Sequence, residues 1–171
     1  LRNLGDDYAT QERFFRQNYD AFRRDVNRPF VQEGGAQLPL GSVATRSNLL
    51  KIYENRIGQD PGALGVLDEL ICNSAIYSQI IGVDREGIDS GLERQLVEIA
   101  RAQGVPSYLM LLYLMKRKPE LGLDDILISG IVALLVRFFV RRNVTDTPST
   151  RDLERLFISI CEGIEDESIR G

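Results

Sequence analysis

From Ile126 to Ile160 the chain reads ILISGIVALLVRFFVRRNVTDTPSTRDLERLFISI. An apolar run ends in a pair of arginines, a short polar turn follows, and a second amphipathic run begins. Ile126 to Val140 spans about 15 residues, short of the roughly 20 a membrane-crossing helix needs, and Arg137 interrupts it. The run is therefore expected to be a buried central helix over 126–140. Arg141 and Arg142 stand where positive charge favours a helix end and can bond its last carbonyls. Thr147-Pro148 or Ser149 caps the next helix, with Asp152 three residues after Ser149 as a weak capping box. That helix is expected to turn Leu153, Leu156, Phe157, Ile160 and Ile164 inward. Its acidic end, EGIEDESIRG, reads as a solvated, fraying tail.

The rest of the chain repeats helical spacing. In residues 10–27, Phe15, Tyr19, Phe22 and Val26 share one face, widened by Phe14 and Ala21. Pro29 is expected to end this helix, since the residue before a proline avoids helical geometry. The glycine- and proline-bearing stretch to Ser42 reads as a loop. Thr45 or Ser47 caps a helix to Ile57, and Gly58 stops it in the left-handed conformation. Asp60-Pro61 opens a helix whose stripe is Leu67, Leu70, Ile71, Ser74, Tyr77, Ile80 and Ile81, ended by Gly82. Asp89 or Ser90 caps a shorter helix with Leu92, Leu96, Ile99 and Ala100 inward, and Gly104 closes it. Pro106-Ser107 opens SYLMLLYLMKRK, apolar almost all round. No alternation typical of strands persists, and no repeat of helical arrays occurs. The expected fold is all-α, a single globular domain over 1–171 of about seven helices with short connections.

At this length the chain can bury roughly 70% of its unfolded surface. Its composition is that of an ordinary globular protein, 43% hydrophobic and 27% charged. A net charge of −4 argues against wholesale attraction to nucleic acid or an anionic membrane. Arginine supplies 18 of the 21 basic residues. That excess fits recognition of phosphate or carboxylate groups, and it equally fits the codon usage of a GC-rich genome. Cys72 and Cys161 each fall in an apolar helical pattern and read as reduced core residues. LRNLGDDYATQERFF has no apolar core segment and does not read as a signal peptide, and a cytoplasmic location is expected. The chain begins at Leu1 and is expected to be a fragment excised from a longer multidomain protein.

Chemistry is constrained most by what is missing. The chain has no histidine, which removes Ser-His and Cys-His nucleophiles, His-based proton transfer and the usual zinc sites. No phosphate-binding loop or dinucleotide fingerprint occurs. The carboxylate pairs Asp6-Asp7, Asp68-Glu69 and Asp124-Asp125, with Glu165-Asp166-Glu167, read as caps and solvated acids. No catalytic, cofactor or metal-binding residue is assigned. The candidate contacts with DNA or a partner are Arg141, Arg142, Arg23 and Arg24, with Lys116-Arg117-Lys118 explained by a helix C-terminus. Bridging from Arg141-Arg142 to acids such as Glu154 is the structural alternative. Tyr53 and Tyr77 read as core residues that direct their hydroxyls to a partner or the surface.

Four segments in order, FFRQNYDAFRRDVNRPF, ATRSNLLKIYE, LDELICNSAIYSQIIG and VRFFVRRNVTDTPSTRDLERLF, carry a resemblance. They contain Arg46-Ser47-Asn48-Leu49, Tyr53, Ala75-Ile76-Tyr77 and Phe139-Val140-Arg141-Arg142-Asn143. In these the chain resembles the helical region of bacterial GmrSD-type proteins, relatives of modification-dependent type IV restriction systems. The resemblance implies a modular protein with a ParB-like nucleotide-using domain and a His-Asn-His-type nuclease domain outside this chain. It carries over no catalytic residue, only the Arg141-Arg142 pair as a family-like feature. The expected function is a non-catalytic scaffold or interaction module of a restriction or phage-defence protein, without cofactor or membrane association. Its partners would be the other domains of the same protein, and DNA. A protein-binding adaptor unrelated to DNA and an enzyme with an unrecognised carboxylate site stay open as alternatives.

Overall fold

The computed structural model describes residues 2–32, 43–58 and 62–166. The chain is all-α, and the described residues form seven helices: α1 (Tyr8–Gln32), α2 (Leu49–Ile57), α3 (Gly62–Ile81), α4 (Ser90–Arg101), α5 (Tyr108–Lys116), α6 (Asp125–Thr145) and α7 (Thr150–Glu165). Two 3₁₀ turns, Arg2–Leu4 and Val105–Ser107, complete the set. Among the described residues there is no strand, and no helix is long and apolar enough to cross a membrane.

The helix at the centre is α5. Every side chain from Tyr108 to Leu114 is buried, and α1, α3 and α7 pack around it. A helix apolar on all sides belongs in such a place, where each large side chain contributes about 1.5–3 kcal/mol by leaving water. The approach to α5 requires a glycine. A Cβ on Gly104 would stand 2.4 Å from Ile99 Cγ1, so only glycine lets the end of α4 turn this tightly. Ser107 Oγ, fully buried, then donates to the Gly104 carbonyl at 2.7 Å.

The expectation of a buried central helix over 126–140 is corrected. Helix α6 is longer, Asp125–Thr145, and buries only Ile128, Val132, Leu135 and Phe139 fully. Ile126 is 77% exposed, Leu134 66% and Val144 85%, with Leu127 and Val140 also exposed. One face of α6 packs on α4, and no described element covers the other. On α7 the core face is Leu153, Phe157, Ile158 and Cys161, while Leu156 and Ile160 are exposed. Its cap is Ser149, whose Oγ accepts from the Asp152 N–H at 3.3 Å and donates to Asp152 Oδ2 at 2.6 Å. Only half of the expected capping box forms, since Asp152 bonds the Ser149 hydroxyl and not its backbone N–H.

Helix α3 is rotated from the expected stripe. Leu67 and Ile71 are exposed, while Val66, Leu70, Asn73, Ser74, Tyr77, Ser78 and Ile80 are buried. Asn73 and Tyr77 meet polar partners on α1, while Ser74 Oγ and Ser78 Oγ donate within α3 to the Ile71 and Ala75 carbonyls. Asn73 Nδ2 donates to Asn18 Oδ1 at 2.8 Å. Tyr77 Oη donates to Gln17 Oε1 at 2.7 Å, and Gln17 Nε2 donates to the Val105 carbonyl at 2.9 Å. Tyr53 Oη donates to the Phe15 carbonyl at 2.9 Å. Hydrogen bonding makes buried polar groups tolerable; Asn73 Oδ1 alone of this set is left without a partner among the described residues, and the bonds tie α1 to α2, α3 and the 3₁₀ turn before α5.

Other local expectations also change. Helix α1 continues past Pro29 to Gln32, since a proline in the last turn forfeits one helical bond without preventing a further turn. The expected loop after it, from residue 33, lies outside the described residues, as do the Asp60-Pro61 cap and the tail beyond Asp166. The turn before α2 is organised by Asn48, whose Oδ1 accepts from the Thr45 N–H at 2.7 Å, and not by a Thr45 or Ser47 cap. Gly58 sits at φ −74°, in ordinary right-handed geometry, whereas Gly82 at φ +83° does end α3 in the left-handed region. Asp89 caps α4 through the Gly91 and Leu92 N–H groups, and Ala100 is exposed. Cys72 is exposed and Cys161 buried, both as free thiols. Glu165, expected in a solvated tail, is buried and accepts a short hydrogen bond from Tyr113 Oη.

Candidate functional site

Two surfaces collect the arginines that the sequence singled out. The first is a cleft of about 880 Å³ between α1, the turn 43–48 and α7. Five arginines line it, Arg16 and Arg23 from α1, Arg46 from the turn, and Arg151 and Arg155 from α7, against the carboxylates of Glu154 and Glu162. Arg151 and Arg155 are four apart and so project from the same face of α7.

Three of the arginines are held in one manner. Glu12, buried to 6% exposure, accepts from Arg16 Nε through Oε1 at 2.7 Å and from Arg46 Nε through Oε2 at 2.6 Å. Burial pulls the Glu12 carboxyl upward, but Arg46 and Arg16 outweigh it and hold the group below the ordinary glutamate range. Arg23 Nε donates to Glu162 Oε1 at 2.7 Å. In each case the Nε is engaged and the two terminal nitrogens have no partner among the described residues. Arg151 and Arg155 make no ion pair among those residues.

Behind the arginines lies Asp20, 5% exposed, which accepts from the Ala44 N–H at 2.9 Å. Burial pushes its carboxyl up to about 7, against the pull of that hydrogen bond and of Arg23. Asp20 therefore fixes the turn 43–48 to α1 and contributes little negative charge to the cleft below neutral pH.

The second surface is the uncovered face of α6. At 3.6 residues per turn, Ile126, Gly130, Ala133, Leu134, Arg137, Val140, Arg141 and Val144 fall within about 120° of one another. Leu134, Arg137 and Arg141 border a groove of about 480 Å³ shared with Leu156 of α7. Neither Arg137 nor Arg141 has a polar partner among the described residues.

The four arginines expected as contacts are thus separated. Arg23 lines the cleft. Arg24 Nη1 donates to the Glu162 carbonyl at 2.7 Å, tying α1 to α7. Arg141 lines the α6 groove. Arg142 is a brace: its Nε donates to the Pro148 carbonyl at 3.1 Å, Nη2 reaches Thr150 Oγ1 at 3.4 Å, and Asp146 lies 3.5 Å away. It does not bridge to Glu154, which instead faces the arginine cleft. Sequence reading missed Arg16, Arg46, Arg151 and Arg155. The i, i+4 spacing of Arg151 and Arg155 was the available signal.

In each acidic cluster that the sequence singled out, at least one member is spent on structure. Asp7 accepts from the Ala9 and Thr10 N–H groups at the start of α1. Glu69 pairs with buried Arg56 at 2.6 Å, and Asp124 caps α6 while Asp125 pairs with Lys118 at 2.6 Å. Among the described residues no three Cys, Asp or Glu side chains are grouped to hold a metal ion. Comparison with protein-family models, curated proteins and solved structures finds no match to this chain.

Proposed function

We propose that this chain is a non-catalytic helical interaction module, and that the open face of α6 docks against another protein domain. The observation that carries the reading is the chemistry of that face. Ile126, Leu127, Leu134, Val140 and Val144 stand exposed along about 27 Å of one helix. Each aliphatic side chain left in water forgoes about 1.5–3 kcal/mol that burial would supply. A contiguous patch of this kind marks an interaction surface. The absence of histidine and the use of the acids as caps and ion-pair partners favour a non-catalytic role.

The longer protein to which the module belongs is proposed to be of the GmrSD restriction or phage-defence type, in the cytoplasm, with the docked domain part of the same protein. Support comes from the order of the resembling segments and from where they lie. Residues 14–30, 44–54 and 136–157 include most of the arginine cleft and much of the α6 face, so they are grouped in space as well as in sequence.

Cysteines placed at Leu134 and Val144 in a Cys72→Ser background test the docking. They should react with maleimide quickly in the isolated chain and at least about tenfold more slowly in the intact protein, as burial at an interface requires. Equal rates in both would overturn the docking face. The GmrSD assignment is tested separately: the reading frame should continue into a ParB-like domain and a histidine-bearing nuclease, and a frame holding neither would refute it.

A further inference from the structure

We infer that the cleft between α1, the turn 43–48 and α7 is a binding site for phosphate groups, either the backbone of a nucleic acid or a free polyphosphate. This does not rest on the docking of α6 or on the family resemblance. Three observations carry it. First, the cleft gathers five arginines against two glutamates on a chain whose net charge is −4, so the local sign opposes the overall one. Second, the guanidiniums of Arg16, Arg46 and Arg23 are anchored through Nε by Glu12 and Glu162. The anchoring leaves the terminal nitrogens of each with no partner among the described residues. A guanidinium offers five donors in a rigid fork, and a fork fixed at its Nε has already lost much of the freedom that binding would remove. Third, Arg151 and Arg155 complete the lining from the opposite wall without any counter-ion of their own among the described residues.

The lining also says what the ligand is not. Its apolar members are Val43, Ala44 and Ile158, and none of its residues is aromatic. Base-stacking platforms need aromatic side chains, so the cleft reads phosphate oxygens and not bases. A carboxylate ligand would be served by one or two arginines. Five, spread over about 880 Å³, suit two or more phosphates in succession. Glu154 lines the cleft with no bond of its own among the described residues, and it should weaken anion binding.

The experiment uses the purified chain with two probes, a short fluorescent duplex DNA of arbitrary sequence and sodium tripolyphosphate as competitor, at low salt and at about fourfold higher salt. The duplex should bind with strong salt dependence if the source is a nucleic-acid backbone. Competition by tripolyphosphate at micromolar concentration, with weak duplex binding, identifies a free polyphosphate. For the probe that binds, Arg151→Ala with Arg155→Ala should weaken affinity about tenfold; with the duplex, the double variant should also lower the salt exponent by about 2. Glu154→Gln should tighten it, an outcome that a merely structural role for the cleft would not produce. Arg94→Ala with Arg101→Ala, on α4, should change nothing. Circular dichroism confirms that each variant is folded, which is expected because Arg151 and Arg155 are exposed. Failure of both probes at low salt, or equal binding by wild type and the Arg151/Arg155 variant, would overturn the inference.

Discussion

Replacing Tyr77 by phenylalanine isolates the polar seam between α1 and α3. Tyr77 is fully buried, and its hydroxyl donates to Gln17 Oε1 at 2.7 Å. The variant keeps the ring, with its edge contacts to Phe14 at 5.3 Å and Tyr108 at 6.3 Å, so no large cavity opens. What it removes is the donor to a carbonyl oxygen on a side chain that is 5% exposed. A buried acceptor left without a partner costs about 1–3 kcal/mol. A domain of this size loses roughly 2–4 °C of Tm per kcal/mol, so the melting temperature should fall by roughly 2–12 °C.

The partner variant Gln17→Leu loses the same bond and also the donor to the Val105 carbonyl. That carbonyl keeps the Tyr108 N–H, so it is not stranded. The double variant should therefore cost less than the two singles together, by about 0.5–1.5 kcal/mol. Chemical denaturation measures all four states. The midpoints should move while the m-value stays constant. A Tyr77→Phe variant within about 0.5 kcal/mol of wild type, or a strictly additive cycle, would refute the claim that the hydroxyl and Gln17 hold α1 on α3.

Three further outcomes are expected. Because the Asp20 carboxyl is raised to about 7 in the fold from an ordinary 3.8, the folded state binds more protons than the unfolded one between those values. The Asp20 contribution to stability should thus be complete below about pH 4, fall by at most about 4 kcal/mol as pH rises through 7, and level off above; Asp20→Asn should remove that component of the slope in denaturation curves at stepped pH. Burial pushes the Cys161 thiol up to about 12, whereas Cys72 is exposed, so a thiol reagent at neutral pH should titrate one equivalent in the native chain and the second only in denaturant. Arg142→Ala removes bonds to Pro148 and Thr150 and should cost about 1 kcal/mol, while Arg141→Ala should stay within about 0.5 kcal/mol; equal losses in thermal melts would contradict the division of the pair into brace and surface contact.

Helix spacing alone made most of the fold legible. Phe14, Tyr19 and Phe22, then Leu92, Leu96 and Ile99, are buried as their periodicity requires. The caps at Asp89 and Ser149 follow from side chains that satisfy exposed N–H groups. Helix α3 was misread for a physical reason: Asn73 and Ser78 are polar, so an apolar count turns them outward, whereas Asn73 finds Asn18 on α1 and Ser78 Oγ donates to the Ala75 carbonyl of its own helix. The arginine cleft was illegible for a related reason. Arg16, Arg46 and Arg151 are far apart in sequence, and Glu12, which holds two of them, carries no local signal of that role.

The choice between α5 and α6 shows where apolar content stops being informative. Both helices are apolar on several faces, and composition favours the longer one as the centre. The decisive difference is the position of the charges. In α5 the first charged residue is Lys116, at the end, so no face from Tyr108 to Leu114 is marked for solvent. In α6, Arg137 and Arg141 lie four apart and project from the same face as Leu134, Val140 and Val144. Long arginine stems cover apolar surface while their heads stay in water, so a face carrying two of them is compatible with exposure in the free chain. The same face is compatible with burial against a domain that offers carboxylates or carbonyls. The apolar stripe and the two arginines are thus the features on which the proposed docking rests, a surface that solvent tolerates and that burial against a partner would stabilise.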